Sequence, residues 1–201
     1  MSVHITKNGI RATGADAQSL FDALTKPKPE VPDMRVKVRE WTGPEDVMPL
    51  HAICQPVVAG AACSIAALIR PNLSPILLPT AEQRLSQDGN YQYLGGAIPA
   101  KLTPPIESAV RQVFQRTLES INGLNGYVGC DVIVPDRKPD RPLIVEINPR
   151  LTTSYIGYRQ LCDDNLMERL LFPDRNRDPV QWRNGRVTFD AGGECRFDPG
   201  T

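Results

Sequence analysis

Histidine is almost missing from this chain: His4 and His51 are the only two in 201 residues. A histidine-based metal centre or a Ser-His-Asp triad is therefore a poor fit to it. Cysteine is present but without a pattern. The five, Cys54, Cys63, Cys130, Cys162 and Cys195, are odd in number and show no C-x-x-C or finger spacing. That argues against structural zinc and a disulfide framework and leaves buried, inert thiols as the expectation. No apolar run approaches the ~18 residues of a membrane span, and "MSVHITKNGIRATG" lacks the apolar centre of a signal peptide, so a cytosolic location is expected. An excess of either charge is missing too: 23 basic and 23 acidic side chains cancel. The chain thus has no electrostatic footprint for nucleic acid or an acidic membrane surface, although a local phosphate site stays open.

What is present describes an ordinary globular protein, 41% hydrophobic and 23% charged, long enough for one large domain or two small ones. Residues 1–34 read as strand, a glycine-bearing loop "KNGIRATGAD", and a helix "AQSLFDAL", closed by the breakers "KPKPEVPD". "RVKVREW" alternates like a strand, and "HAICQPVVAG" is an apolar run closed by glycine. "ACSIAALI" and "SPILLP" read as two strands joined by the turn "RPNL". The clearest helix starts near Pro105, where Ile106, Ala109, Val110, Val113, Phe114, Leu118 and Ile121 recur at helical spacing as a core stripe. After "NGLNG", strands "YVGCDVIV" and "PLIVEIN" flank the polar loop "PDRKPDR". One further helix is expected over about Ile156 to Leu171, then a strand "RVTFDAGG" and a frayed tail "ECRFDPGT".

The polar residues in the last two apolar strands require an explanation. Glu146 and Asn148 are two apart and share a face. If Val134 pairs with Leu143, antiparallel pairing sets Asp131 opposite Glu146. Like charges directly opposite destabilise a sheet, and desolvation adds to the cost. Magnesium would relieve this, since it takes hard oxygen ligands, keeps waters and is completed by substrate phosphates. Asn148 would add a third oxygen, and Arg150 stands ready for an anion beside the metal. A solvated polar edge would use the same letters, because a one-residue slip reverses the face.

These residues, "GYVGCDVIV" and "LIVEINPRLTTSYIGYRQL", resemble the metal-binding hairpin of the ATP-grasp superfamily, and "EINPRLTTSY" is similar to its tyramine-glutamate and pyrrolysine-biosynthesis ligases. The resemblance extends through "CQPVVAGAACSIAALI" and "AEQRLSQDGNYQYLGGAIP", over roughly residues 50–172. It implies an α+β, ATP-grasp-like fold of mainly antiparallel sheets packed with helices. The expected units are residues 1–58 (part of the small subdomain), 59–190 (the C-terminal subdomain) and 191–201 (a tail).

By resemblance, Asp131, Glu146 and Asn148 are metal ligands for Mg2+, with Mn2+ as substitute, and Arg150 contacts the phosphate or the carboxylate being activated. Gln83 and Arg84 face the reacting centre. Ile53 to Val58 match the strand that passes the adenine, with Gln55 and the Val57 backbone reading the base. Lys7 matches the phosphate-binding lysine, with Lys37 as a rival. The implied activity is an ATP-dependent carboxylate-amine ligase acting through an acylphosphate on a small amino-acid-like substrate. The alternative is a catalytically incomplete nucleotide-binding or scaffolding module. The family's N-terminal domain has no counterpart here, so a separate chain supplying it, or a homo-oligomer, is the expected partner beside the small-molecule acid and amine.

Overall fold

A computed structural model describes residues 2–6, 9–13, 36–37, 53–54, 58–86, 91–174 and 178–200. The chain divides into two compact units, Met1–Val58 and Ala59–Thr201. In the first, β1 (Ser2–Thr6) and β2 (Gly9–Thr13) form an antiparallel hairpin. The segment expected to be a loop is therefore partly a strand, because "GIRAT" alternates well enough to pair with "SVHIT". A second antiparallel pair joins β3 (Val36–Lys37) to β4 (Ile53–Cys54). The helix expected over "AQSLFDAL" lies outside the described residues, as do Lys7, Gln55 and Val57.

The second unit is built on β5 (Gly60–Ile69), β6 (Ile76–Leu77), β7 (Ala81–Leu85), β8 (Tyr93–Ile98), β9 (Gly126–Pro135), β10 (Leu143–Asn148), β11 (Gly185–Asp190) and β12 (Cys195–Pro199). They form one antiparallel sheet in the order β10-β9-β5-β7-β8-β11-β12, with β6 also on β5. Three helices cover it: α1 (Pro104–Glu119), α2 (Ser154–Leu161) and α3 (Leu166–Leu171).

Strand alternation sends side chains to two cores. Cys63, Ile65 and Ala67 of β5 and Val128, Cys130, Val132 and Val134 of β9 meet Val110, Phe114 and Leu118 of α1. Each large side chain buried this way contributes about 1.5–3 kcal/mol. Prolines at its first turn start α1, where their missing N–H groups cost nothing. Arg111 ties it to the sheet by donating to the Leu77 and Leu78 carbonyls. On the other face, Ala66, Leu68, Ile98 and Phe189 pack against Tyr158 and Leu161 of α2 and Leu166 of α3.

Two expectations are corrected. The single helix over about 156–171 is two, because Cys162 is extended and bridges to Trp182. Asn165 then caps the second helix by accepting from the Met167 and Glu168 N–H groups, satisfying donors that would otherwise be orphaned. The tail expected to fray is the edge strand β12, paired with β11 along its length. Its inward Phe197 packs on the core, and Asp190 accepts from the Glu194 N–H to close the turn.

Candidate active site

Asp131 and Glu146 are cross-strand partners, but not through the simple register. Leu143 pairs with Ile133 and Ile144 with Val132, after which Val145 is an extra residue and Glu146 meets Asp131. This β-bulge has a packing reason. Ile144 and Ile147, three apart, both pack on the α1 side, which unbroken alternation forbids. Val145 is pushed outward, 46% exposed, while Glu146 and Asn148 turn to the face of Asp131.

Around Asp131 the groups are tightly specified. Gln83 Nε2 donates to one carboxylate oxygen at 2.8 Å, and Asn148 Nδ2 faces the other at 3.5 Å. Arg150 donates to the Asn148 amide oxygen at 3.1 Å. Asn148 is buried at 6% exposure; Asp131 is half-buried, Glu146 and Arg150 exposed. Burial pushes the Asp131 carboxyl above the ordinary carboxylate range; the Gln83 hydrogen bond opposes this, the Glu146 charge adds to it, and Asn148 and Arg150 oppose it in turn. Among the described residues Glu146 has no hydrogen-bond or ion-pair partner.

This donor set fits a small divalent ion: two carboxylates opposed on one face, and an amide whose two ends exchange by rotation. No cluster of three or more His, Cys, Asp or Glu side chains occurs among the described residues, so such an ion would depend on phosphate and water for its remaining ligands.

The loop after β10 is held by close approach as well as by its own backbone bond, the Arg150 N–H donating to the Asn148 carbonyl. Gly129 of β9 leaves room for the Thr152 side chain, and a methyl there would collide with it. Thr152 Oγ1 lies 3.0 Å from the Tyr127 hydroxyl and 2.8 Å from Ser154 Oγ. Arg150 is therefore carried on a segment pinned at both ends. Arg84, exposed on β7, donates to the Phe189 carbonyl at 3.0 Å. The structure thus brings Gln83, Asp131, Glu146, Asn148 and Arg150 together, but not Arg84: next to Gln83 in a regularly paired strand, it alternates to the other face of the sheet. Sequence reasoning missed both the bulge and the Gly129–Thr152 seat; a glycine inside the strand-like "YVGCDVIV" was the available signal.

A cavity of about 330 Å³ is lined by Arg70, Ile76 and Trp182, and the acid pair sits on an open sheet face. Cys63 and Cys130 are buried, with thiols pushed up to about 12 by burial, so neither is a nucleophile. No helix among the described residues is long and apolar enough to cross a membrane.

The ATP-grasp domain family matches residues 32–154, and this chain belongs to it. A tyramine–L-glutamate ligase of Methanocaldococcus jannaschii is 27% identical over 167 residues, 82% of this chain and 50% of the relative. The chain spans about half the length of the curated relatives it matches. A crystal structure of an ATP-grasp superfamily protein from Archaeoglobus fulgidus superposes with a TM-score of 0.58 at 22% identity, over 76% of this chain and 50% of that one. The biotin carboxylase domain of a Hydrogenobacter thermophilus 2-oxoglutarate carboxylase, solved with magnesium ADP and bicarbonate, gives 0.56 at 14% identity, covering 69% and 31%.

Proposed function

We propose that this chain is the ATP- and magnesium-dependent catalytic part of a carboxylate-amine ligase acting on a small amino-acid-like acid. The observation that carries this reading is the Asp131–Glu146 pair on one face, joined through Asn148 to Arg150. A divalent ion held by Asp131 and Glu146, with the Asn148 amide oxygen, would neutralise charge on the β- and γ-phosphates of ATP. Gln83 fixes the Asp131 carboxylate, so little reorganisation of that ligand remains when the phosphates arrive. Arg150 offers its remaining N–H groups to the transferring phosphoryl group, whose charge is spread over its equatorial oxygens.

In the reaction, an oxygen of the substrate carboxylate bonds to the γ-phosphorus as the bond to ADP breaks. The amine then bonds to the acyl carbon, phosphate leaves with the acyl C–O electron pair, and the amine proton passes to phosphate or water. No step needs a protein nucleophile, which suits a chain poor in histidine. Lys7, Lys37, Gln55 and Val57 keep their family roles at phosphate and adenine within this proposal.

A second reading is a catalytically incomplete nucleotide-binding or scaffolding module that needs another segment or chain for turnover. Calorimetric titration with a non-hydrolysable ATP analogue, with and without magnesium, is the test. Magnesium-dependent binding followed by acid-dependent ADP release supports the ligase. Binding without release supports the module, and no binding by the folded chain overturns both.

A further inference from the structure

The second unit carries a concave site far from the acids. Between the β5–β6 turn and the segment that follows α3 lies the cavity of about 330 Å³, walled by Ile76, Val180 and Trp182, with Arg70 and Asp178 beside them. Its size is at the low end of the roughly 300–1,000 Å³ of small-molecule sites, whose usual lining is apolar with a few charged groups. Ser64 of β5 pairs with Asp131, and Arg70 follows six residues further along that strand, roughly 20 Å away at strand spacing. The cavity is therefore no part of the acid site.

Its charged groups are not consumed by the fold. Arg70 Nη2 donates to the Ser74 carbonyl at 3.2 Å, the one hydrogen bond of this guanidinium among the described residues. Nε is shut off from solvent without a partner, a desolvation cost that the protein leaves unreturned. Burial, and then the Arg169 charge, hold the Arg70 guanidinium below its ordinary range, so an anion brought here gains a cation short of counter-charge. The Asp178 carboxylate, exposed at the rim, also has no hydrogen-bond or ion-pair partner among the described residues. The two opposite charges line one cavity without pairing with each other.

The wall is fixed in advance. Arg169, 2% exposed, donates to the Asp178 and Pro179 carbonyls and pairs with Asp164 at 2.8 Å, which in turn accepts from the Gln181 N–H. Trp182 bridges to Cys162 and packs edge-on against Tyr158. Little ordering cost then remains for binding.

A guanidinium with unused donors, an unpaired carboxylate and an apolar wall match a zwitterion that carries an apolar side chain. We infer that this cavity binds a small apolar α-amino acid, with Arg70 taking its carboxylate, Asp178 its ammonium group, and Ile76, Val180 and Trp182 its side chain. The assignment is independent of the ligase reading.

The test uses L-leucine, titrated into the full chain and followed by calorimetry and by tryptophan fluorescence. Saturable binding with Kd on the order of 1 mM or tighter is expected, a range open to so small a ligand. 4-Methylpentanoate, which lacks the ammonium group, and 3-methylbutylamine, which lacks the carboxylate, should both bind more weakly, the amine most of all. Arg70→Met should weaken leucine binding about tenfold or more, the usual cost of a lost hydrogen bond to a charged group. Asp178→Asn, at an exposed position, should cost about threefold and leave 4-methylpentanoate binding unchanged, which decides the matter even if Arg70→Met does not fold. Glu146→Gln should bind leucine as the wild type does. No saturable binding by the wild type, or unchanged leucine affinity in the cavity variants, overturns the assignment. So does an amine that binds as tightly as leucine, or a loss of leucine binding in Glu146→Gln, which would place the ligand beside the acids.

Discussion

Glu146 faces Asp131 because β10 carries one residue more than its partner needs, at Val145. In an unbroken register Val145 would pair with Asp131 and Glu146 with Cys130, on the packed side under α1. The bulge lets Ile144 and Ile147 enter the same core while turning Glu146 to the face of Asp131. Bulges are common beside active sites for this reason, since they re-aim a side chain without moving a strand.

Glu146→Gln keeps the size and position of the side chain while removing its charge. Magnesium-dependent binding of an ATP analogue should fall below detection by calorimetry, with the melting temperature unchanged or slightly raised. Unaltered binding would remove Glu146 from the metal set.

The raised Asp131 carboxyl predicts a pH dependence. Because its folded-state pKa lies above the ordinary 3.8, the native state holds this proton more tightly than the unfolded chain. Asp131 therefore favours folding below pH 3.8, and that contribution is lost as pH rises towards the folded value. In EDTA, melting temperature followed upwards from pH 3.5 should decline less steeply for Asp131→Asn than for wild type. Glu146→Gln should also flatten the decline, since Glu146 is one cause of the shift. Magnesium with nucleotide should raise the wild-type melting temperature most at neutral pH.

Arg150→Ala tests the phosphoryl-transfer role. Removing a donor that acts mainly in the transition state costs on the order of a hundredfold in kcat, with a smaller change in KM for ATP. ADP release kinetics would show this, and equal effects through KM alone would reassign Arg150 to ground-state binding.

Gly129→Ala should lower stability by about 1–3 kcal/mol through overpacking against Thr152. Thr152→Ser removes the colliding methyl but keeps the hydroxyl link to Tyr127 and Ser154. The double variant should recover most of the loss in denaturant unfolding. A lack of recovery would mean that the glycine serves the strand itself and not the seat of the loop.

The α1 stripe, the antiparallel character of the sheet and the ATP-grasp family were all legible in the sequence, because spacing along one strand or helix is local. Asp131, Glu146, Asn148 and Arg150 could be named from two adjacent strands and the loop after them. The pairing of Asp131 with Glu146 was expected from a uniform register, and the chain reaches it by a different one. Val145 adds a single residue, and with a side-chain period of two that is enough to reverse a face. Such choices follow from which core the neighbouring apolar residues can fill.

The break between α2 and α3 was likewise set by a bridge from Cys162 to Trp182, and β12 by its pairing with β11. Neither leaves a local mark. Composition and spacing alone determined the kinds of groups available to this protein: hard oxygen donors, amides and arginines, with almost no histidine. Tertiary structure decided which of them meet, because Gln83 reaches Asp131 across 48 residues of sequence.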